Sequence, residues 1–181
     1  MKRIRLRFEN LQQVSGGEGI AIVLLTDQER RRALTVICDE PMKQQFLLRM
    51  QAPQQCATML PEALLTLLPS TYEMMVFGLY DGQYQVALMG NDGETVRLRM
   101  SDAVLLTMMS DIPLYIEEGL MARQCVPFEE EATGIAIPIN TMDVSRLKHV
   151  LQKAVDEENY ELASQLRDEI NRRHSDHSTQ S

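Results

Sequence analysis

Residues 72–99 read YEMMVFGLYDGQYQVALMGNDGETVRLR, and this stretch decides the fold class. Three runs, Tyr72 to Tyr80, Tyr84 to Met89 and Thr95 to Arg99, are separated by Asp81-Gly82 and by Asn91-Asp92-Gly93. Asp-Gly between alternating runs is hairpin chemistry, because both central residues of the favoured two-residue turn take positive φ. The spacing predicts three consecutive strands. Ser101-Asp102 then opens an apolar helix to about Ser110, with Ser101 as N-cap and Asp102 set against the positive end of the helix dipole. Pro113 ends that helix, Leu114 to Ile116 adds a short strand, and Glu117-Glu118-Gly119 reads as a solvated turn.

Upstream the same pattern occurs. Lys2 to Phe8 alternates Arg3, Arg5 and Arg7 with Ile4, Leu6 and Phe8, the period of a half-buried strand. Ser15-Gly16-Gly17 is a turn, Gly19 to Thr26 a second strand, and Asp27 to Arg32 a charged turn into a third run, Ala33 to Cys38. After Asp39-Glu40-Pro41 the spacing is helical to about Met50. Pro61 opens a shorter helix, Glu62 to Leu68, standing where its missing N–H costs least. Strand triplets interleaved with helices, without βαβ alternation, predict an α+β fold over residues 1–125, a mostly antiparallel sheet with interspersed helices.

The C-terminal part is a different object. Residues 126–142 carry Glu129-Glu130-Glu131, Gly134 and Pro138, the composition of an acidic linker, although Ile135, Ile137 and Ile139 also fit an edge strand. From Asp143 to Arg173, Leu147, Val150, Leu151 and Ala154 share one helical face, and Leu162, Ala163, Leu166 and Ile170 another. The polar turn Asp156 to Asn159 between them makes a C-terminal helical hairpin over residues 143–173, with Asp143 and Asn159 as N-caps. Asp168 with Arg172 and Glu169 with Arg173 are i,i+4 pairs. Residues 174–181 read as a disordered tail. A hairpin this short is below the roughly 40 residues that usually fold alone, so its apolar face needs company: its own domain, a second copy or another protein.

Charge and composition narrow the function. The 181 residues hold 18 Lys and Arg against 26 Asp and Glu, a net charge of −8, which argues against a protein acting mainly as glue for phosphate backbones. Residues 1–125 hold 12 basic and 15 acidic residues, and residues 126–181 hold 6 and 11, so the acidity is concentrated in connector and hairpin. With no Trp and three His, base-stacking platforms and histidine-rich metal sites are disfavoured. Cys38, Cys56 and Cys125 are odd in number and lack C-x-x-C spacing, the usage of buried thiols. Met74-Met75 and Met108-Met109 read as adaptable core. The N-terminus is not a signal peptide and no window approaches a membrane span, so a soluble cytoplasmic protein without membrane contact is expected. The only plausible phosphate-facing surface combines Arg3, Arg5 and Arg7 with Arg30, Arg31 and Arg32, unless these form a charged edge that discourages sheet-to-sheet pairing.

Two parts of the chain resemble known families. Leu147, Leu151 and Ala154, then Asn159-Tyr160-Glu161, Ala163 and Leu166-Arg167-Asp168-Glu169-Ile170 resemble the UVR motif, the helical hairpin of bacterial excision-repair subunits and of some protease adaptors. Ser164 replaces the second alanine usual there. In that family the hairpin is a protein-interaction element, which implies a protein partner or self-association into a homo-oligomer through Leu147, Leu151, Tyr160, Leu166 and Arg167. Residues 1–125 resemble the bifunctional nuclease (BFN) domain family, carried by Arg99, Ser101-Asp102-Ala103, Ile112-Pro113-Leu114-Tyr115-Ile116 and Glu117-Glu118. The strand leading into a helix at Ala33 to Cys38 and the appended hairpin add support.

This second resemblance implies a bacterial protein and a metal-dependent nuclease acting on RNA or DNA, with Mg²⁺ or Mn²⁺. The chain departs from the family at two places. Leu34-Thr35-Val36 followed by Asp39-Glu40-Pro41-Met42 stands where the family tends to carry Leu-Pro-Ile before a glycine and an acid. Leu60-Pro61-Glu62 stands where it carries Thr-His-Asp. His149, His174 and His177 all lie in the hairpin or tail, so residues 1–125 contain no histidine. Metal-assisted hydrolysis would then rest on carboxylates. The catalytic candidates are Asp39, Glu40, Asp102 and Glu117, with Glu62, Asp111 and Glu118 as further acids; the nucleic-acid-binding candidates are Arg3, Arg5, Arg7, Arg31 and Arg99. No metal-ligand set is readable from spacing. A regulatory domain that binds a small ligand or anion is the third reading.

Overall fold

A computed structural model describes residues 2–13, 20–67, 72–128, 130, 139, 142–156 and 158–178. The Asp81-Gly82 turn has φ of 47° and 73°, as a tight hairpin demands, and joins strands β4 (Glu73–Tyr80) and β5 (Gln83–Met89). β5 pairs antiparallel with β6 (Thr95–Leu98). A second meander, β1 (Arg3–Gln13), β2 (Ile20–Asp27) and β3 (Arg32–Asp39), is antiparallel throughout. β7 (Leu114–Glu117) joins the two, antiparallel to β1 with Leu6 opposite Leu114, and parallel to β4 with Met74 opposite Leu114. With β8 (Val126–Pro127) on the edge of β3, the order is β6-β5-β4-β7-β1-β2-β3-β8. The α+β reading with a mostly antiparallel sheet and a C-terminal helical pair is what the structure shows.

The helices are α1 (Glu40–Gln51), α2 (Pro53–Cys56), α3 (Leu60–Leu65), α4 (Met100–Met109), α5 (Glu118–Gln124), α6 (Val144–Asp156) and α7 (Tyr160–Ser178). α1 begins where Asp39 accepts the Met42 N–H at 3.0 Å with Pro41 in the first turn. α1 lies on β2 and β3, and α4 on β1, β3 and β7. Between helices and sheet, Leu25, Leu34, Phe46, Met74, Leu114, Ile116 and Met121 are fully buried. Phe8 stacks on Phe46 with ring centroids 6.1 Å apart.

Several local readings change. Arg99, and not Ser101, occupies the N-cap of α4, and Ser101 lies within the first turn. Glu117-Glu118-Gly119 is no solvated turn: Glu117 ends β7 and α5 starts at Glu118, because Leu120 and Met121 are buried and their packing outweighs the glycine. β1 runs beyond Phe8, with a register shift between Phe8 and Asn10 that interrupts the alternation. α7 continues past Arg173 to Ser178, a stretch with neither glycine nor proline. The expected turn at Ser15-Gly16-Gly17 and edge strand through Ile135 and Ile137 lie outside the described residues.

The three cysteines are free, Cys38 and Cys56 buried and Cys125 half-buried. Burial, reinforced by the Asp39 charge, pushes the Cys38 thiol up to about 11, so it is un-ionised at neutral pH. No described helix is long and apolar enough to cross a membrane. The chain divides into two compact units, Met1–Gly78 with Tyr84–Ile135, and Leu79–Gln83 with Ala136–Ser181.

Candidate functional site

The first unit places the candidate acids at the starts of helices. Arg99 grips Asp102 with two bonds, Nε to Oδ2 at 2.6 Å and Nη2 to Oδ1 at 3.0 Å. The Asp102 hydrogen bond and charge raise the Arg99 pKa, and the Asp39 charge adds a weaker attraction, so Asp39, Arg99 and Asp102 share one neighbourhood. At the other end of the same two helices, Arg49 of α1 reaches Met109 of α4, so α1 and α4 run side by side in the same direction. Glu40 turns to its own helix, bonded to Gln44 at 2.6 Å and Lys43 at 3.1 Å, and these bonds, Gln44 first, lower its pKa. Glu117 is half-buried at the start of α5, where its side chain makes no capping bond.

A Mg²⁺ or Mn²⁺ ion of hydrolytic type needs several convergent oxygen ligands. Asp102 gives both oxygens to Arg99, Asp39 caps α1, and Glu40 is bound along its helix. Among the described residues, no group of three or more His, Cys, Asp or Glu side chains stands together as a metal would require. The donor set does not fit such an ion.

The arginine candidates divide sharply. Arg3 is bonded to Glu73 at 2.6 Å and lies over the Tyr115 ring at 4.2 Å. Arg30 pairs with Glu9 and Glu130, Arg31 with Glu29, Arg32 with Asp27, and Arg99 with Asp102. Asp27 is buried and also accepts the Arg31 and Arg32 N–H groups; burial alone would raise its pKa, and these bonds, led by the Arg32 side chain, bring it below the ordinary value. Arg5 and Arg7 are exposed on β1.

The spacing did not mark one polar cluster. Arg49, with a side chain 5% exposed, donates to Glu62 at 2.8 Å, to the Met109 sulfur and to Gln45. Nothing in helical periodicity tells a buried arginine from a solvated one; the pairing is a product of the α1–α3–α4 packing.

The second unit builds the hairpin as its caps require. The Asp143 carboxylate accepts the Arg146 N–H at 2.7 Å, and the Asn159 side chain accepts the Leu162 N–H at 3.2 Å. α6 closes with two bonds of the Schellman pattern, Asn159 N–H to Ala154 carbonyl and Glu158 N–H to Val155 carbonyl, around Glu158 at φ 57°. Leu147, Ala154, Ala163, Leu166 and Ile170 are buried. Of the partner candidates, Leu147 and Leu166 are therefore fully enclosed and Leu151 half-buried, whereas Tyr160 and Arg167 are exposed. At the far end, Glu169 pairs with Arg172 at 2.7 Å and with Arg173 at 2.8 Å. Arg173 also reaches the Met142 carbonyl and Asp81.

No curated protein matches the chain. Residues 145–172 match the model of the UvrB/uvrC motif, so the hairpin of α6 and α7 is similar to a motif of protein-interaction type, joined in this chain to an α+β unit.

Proposed function

We propose that the protein binds another protein through its hairpin, and that the end of the hairpin carrying Val155 and Tyr160 is the contact. The match of residues 145–172 to the UvrB/uvrC motif carries this reading. Geometry adds the location. Leu147 and Leu166 are already buried, whereas Val155 is 45% and Tyr160 68% exposed beside the α6–α7 turn. A large aromatic ring held at a capped turn offers contact area at little entropic cost. Arg167 is exposed one helical stretch further along α7. The partner is either a second copy of the chain, giving a homo-oligomer, or a different protein in the cytoplasm.

The test compares the full chain with a Val155→Asp, Tyr160→Asp variant by sedimentation equilibrium and by co-purification from cells that make the protein. Both positions are exposed, so the variant keeps its helical circular dichroism. Loss of the assembled mass or of the co-purifying protein supports the reading; full retention of both in the folded variant places the interaction elsewhere.

A further inference from the structure

We propose that the first unit binds a nucleoside monophosphate in the groove between β1 and the α4–β7 connection, with the phosphate on Arg5 and Arg7. The groove has a volume of about 400 Å³, within the range of small-molecule sites, and is lined by Arg5, Arg7, Phe8, Thr107, Ser110 and Asp111 among others. Arg5 and Arg7 stand out from the other strip arginines because neither has a carboxylate or hydrogen-bond partner among the described residues. They are two apart on one strand, about 7 Å between Cα atoms, which lets both forks reach one phosphate group.

The rest of the lining suits the remainder of such a ligand. Phe8 lines the groove from the other face of β1, with its ring stacked on the buried Phe46. The Thr107 hydroxyl spends its proton on the Val104 carbonyl, and the Ser110 hydroxyl spends its own on the Leu106 carbonyl. The Thr107 oxygen is left as an acceptor, and the Ser110 oxygen, which already accepts the Ile112 N–H at 3.4 Å, keeps one lone pair, which suits sugar hydroxyls better than a phosphate. Asp111, exposed in the same lining, accepts N–H or O–H and repels a second phosphate. The count of charges selects size as well. A polyanionic strand is held by many cations, and a chain of net charge −8 whose neighbouring arginines are already paired offers two. A small ligand with one phosphate is the better fit.

Calorimetric titration of the full chain with the four nucleoside 5′-monophosphates tests this, alongside inorganic phosphate, adenosine and a 12-nucleotide single strand. Saturable binding of at least one monophosphate is expected, tighter than phosphate or adenosine alone. Arg5→Gln with Arg7→Gln weakens it by about tenfold or more, while Arg123→Gln, at an exposed arginine of α5, leaves it unchanged. On the unmodified protein, the Phe8 ring resonances shift as the monophosphate is added, a readout that needs no variant. The proposal is overturned by no binding of any monophosphate, by undiminished binding in the folded double variant, or by tighter binding of the strand that Arg123→Gln weakens equally.

Discussion

Replacing Arg173 by methionine probes what holds the second unit together. The Arg173 side chain is 6% exposed, and its contacts include Glu169 at 2.8 Å, the Met142 carbonyl and, at 3.4 Å, Asp81. The Met142 backbone also lies so close to Gly82, whose φ is +73°, that a Cβ there would overlap the carbonyl. Methionine keeps most of the aliphatic volume and removes the donors. A hydrogen bond to a charged group is worth about 1.5–3 kcal/mol, and an orphaned buried carbonyl costs about 1–3 kcal/mol. Glu169 keeps Arg172 at 2.7 Å and the Asp81 contact is long, so the loss is at the low end of the sum, about 2–3 kcal/mol.

The same substitution has a pH signature. Burial pushes the Glu169 carboxyl up, but the bonds from Arg172 and Arg173 outweigh it and hold the folded value below the ordinary one. A depressed folded pKa gives stability that is fully present above the unfolded value, about 4.3, and is lost as pH falls through the folded value. Urea unfolding followed by helical circular dichroism at pH 7 and at steps down to pH 3 reads both effects. Arg173→Met loses about 2–3 kcal/mol at pH 7 and has a flatter acid limb than the unmodified chain. A loss under about 0.5 kcal/mol, the range of an ordinary surface change, refutes the bonding argument.

Asp27→Asn removes the charge that holds Arg32 and the two N–H groups of the β2–β3 turn, and is expected to cost about 1–3 kcal/mol in thermal or urea unfolding. Because the folded Asp27 pKa is depressed, the unmodified chain also loses this stabilisation as pH falls through it, and the asparagine variant does not. Glu158→Gly relieves a left-handed backbone at the hairpin turn and raises stability by about 0.5–1 kcal/mol, read as a higher urea midpoint. Incubated with RNA or DNA and Mg²⁺ or Mn²⁺, the full chain leaves the substrate intact. Metal-dependent cleavage abolished by Asp102→Ala would contradict the commitment of that carboxylate to Arg99.

Where local chemistry decides structure, the sequence was readable. Asp81-Gly82 announced its turn, Asp39 and Pro41 the start of α1, and Asp143 and Asn159 the two hairpin caps. Glu169 and Arg173 meet at i,i+4 as spaced. Where packing decides, it was not. α5 contains Gly119 and begins with acids, so only the burial of Leu120 and Met121 explains it. The position of β7 between β1 and β4 depends on contacts far apart in sequence. The candidate site shows the same division. Alternation put Arg3, Arg5 and Arg7 on one face, but that Glu73 takes Arg3 and not its two neighbours is a tertiary contact no local pattern reveals. Asp102 is held by Arg99, which the Asp39 charge also reaches, whereas spacing put that arginine with the nucleic-acid-binding candidates. Glu158 at the left-handed position of the hairpin turn had no signal, since glycine is the residue that normally marks it.

Site-specific photocrosslinking most directly tests the hairpin as the partner-binding element. A photoreactive phenylalanine analogue is placed at Tyr160 in the full chain, in cells that make the protein, and at exposed Glu94 as control. A discrete protein adduct from position 160, self or foreign, that is absent from position 94 and lost on Val155→Asp is the predicted result. No adduct at 160, or the same adduct at both positions, would contradict the account.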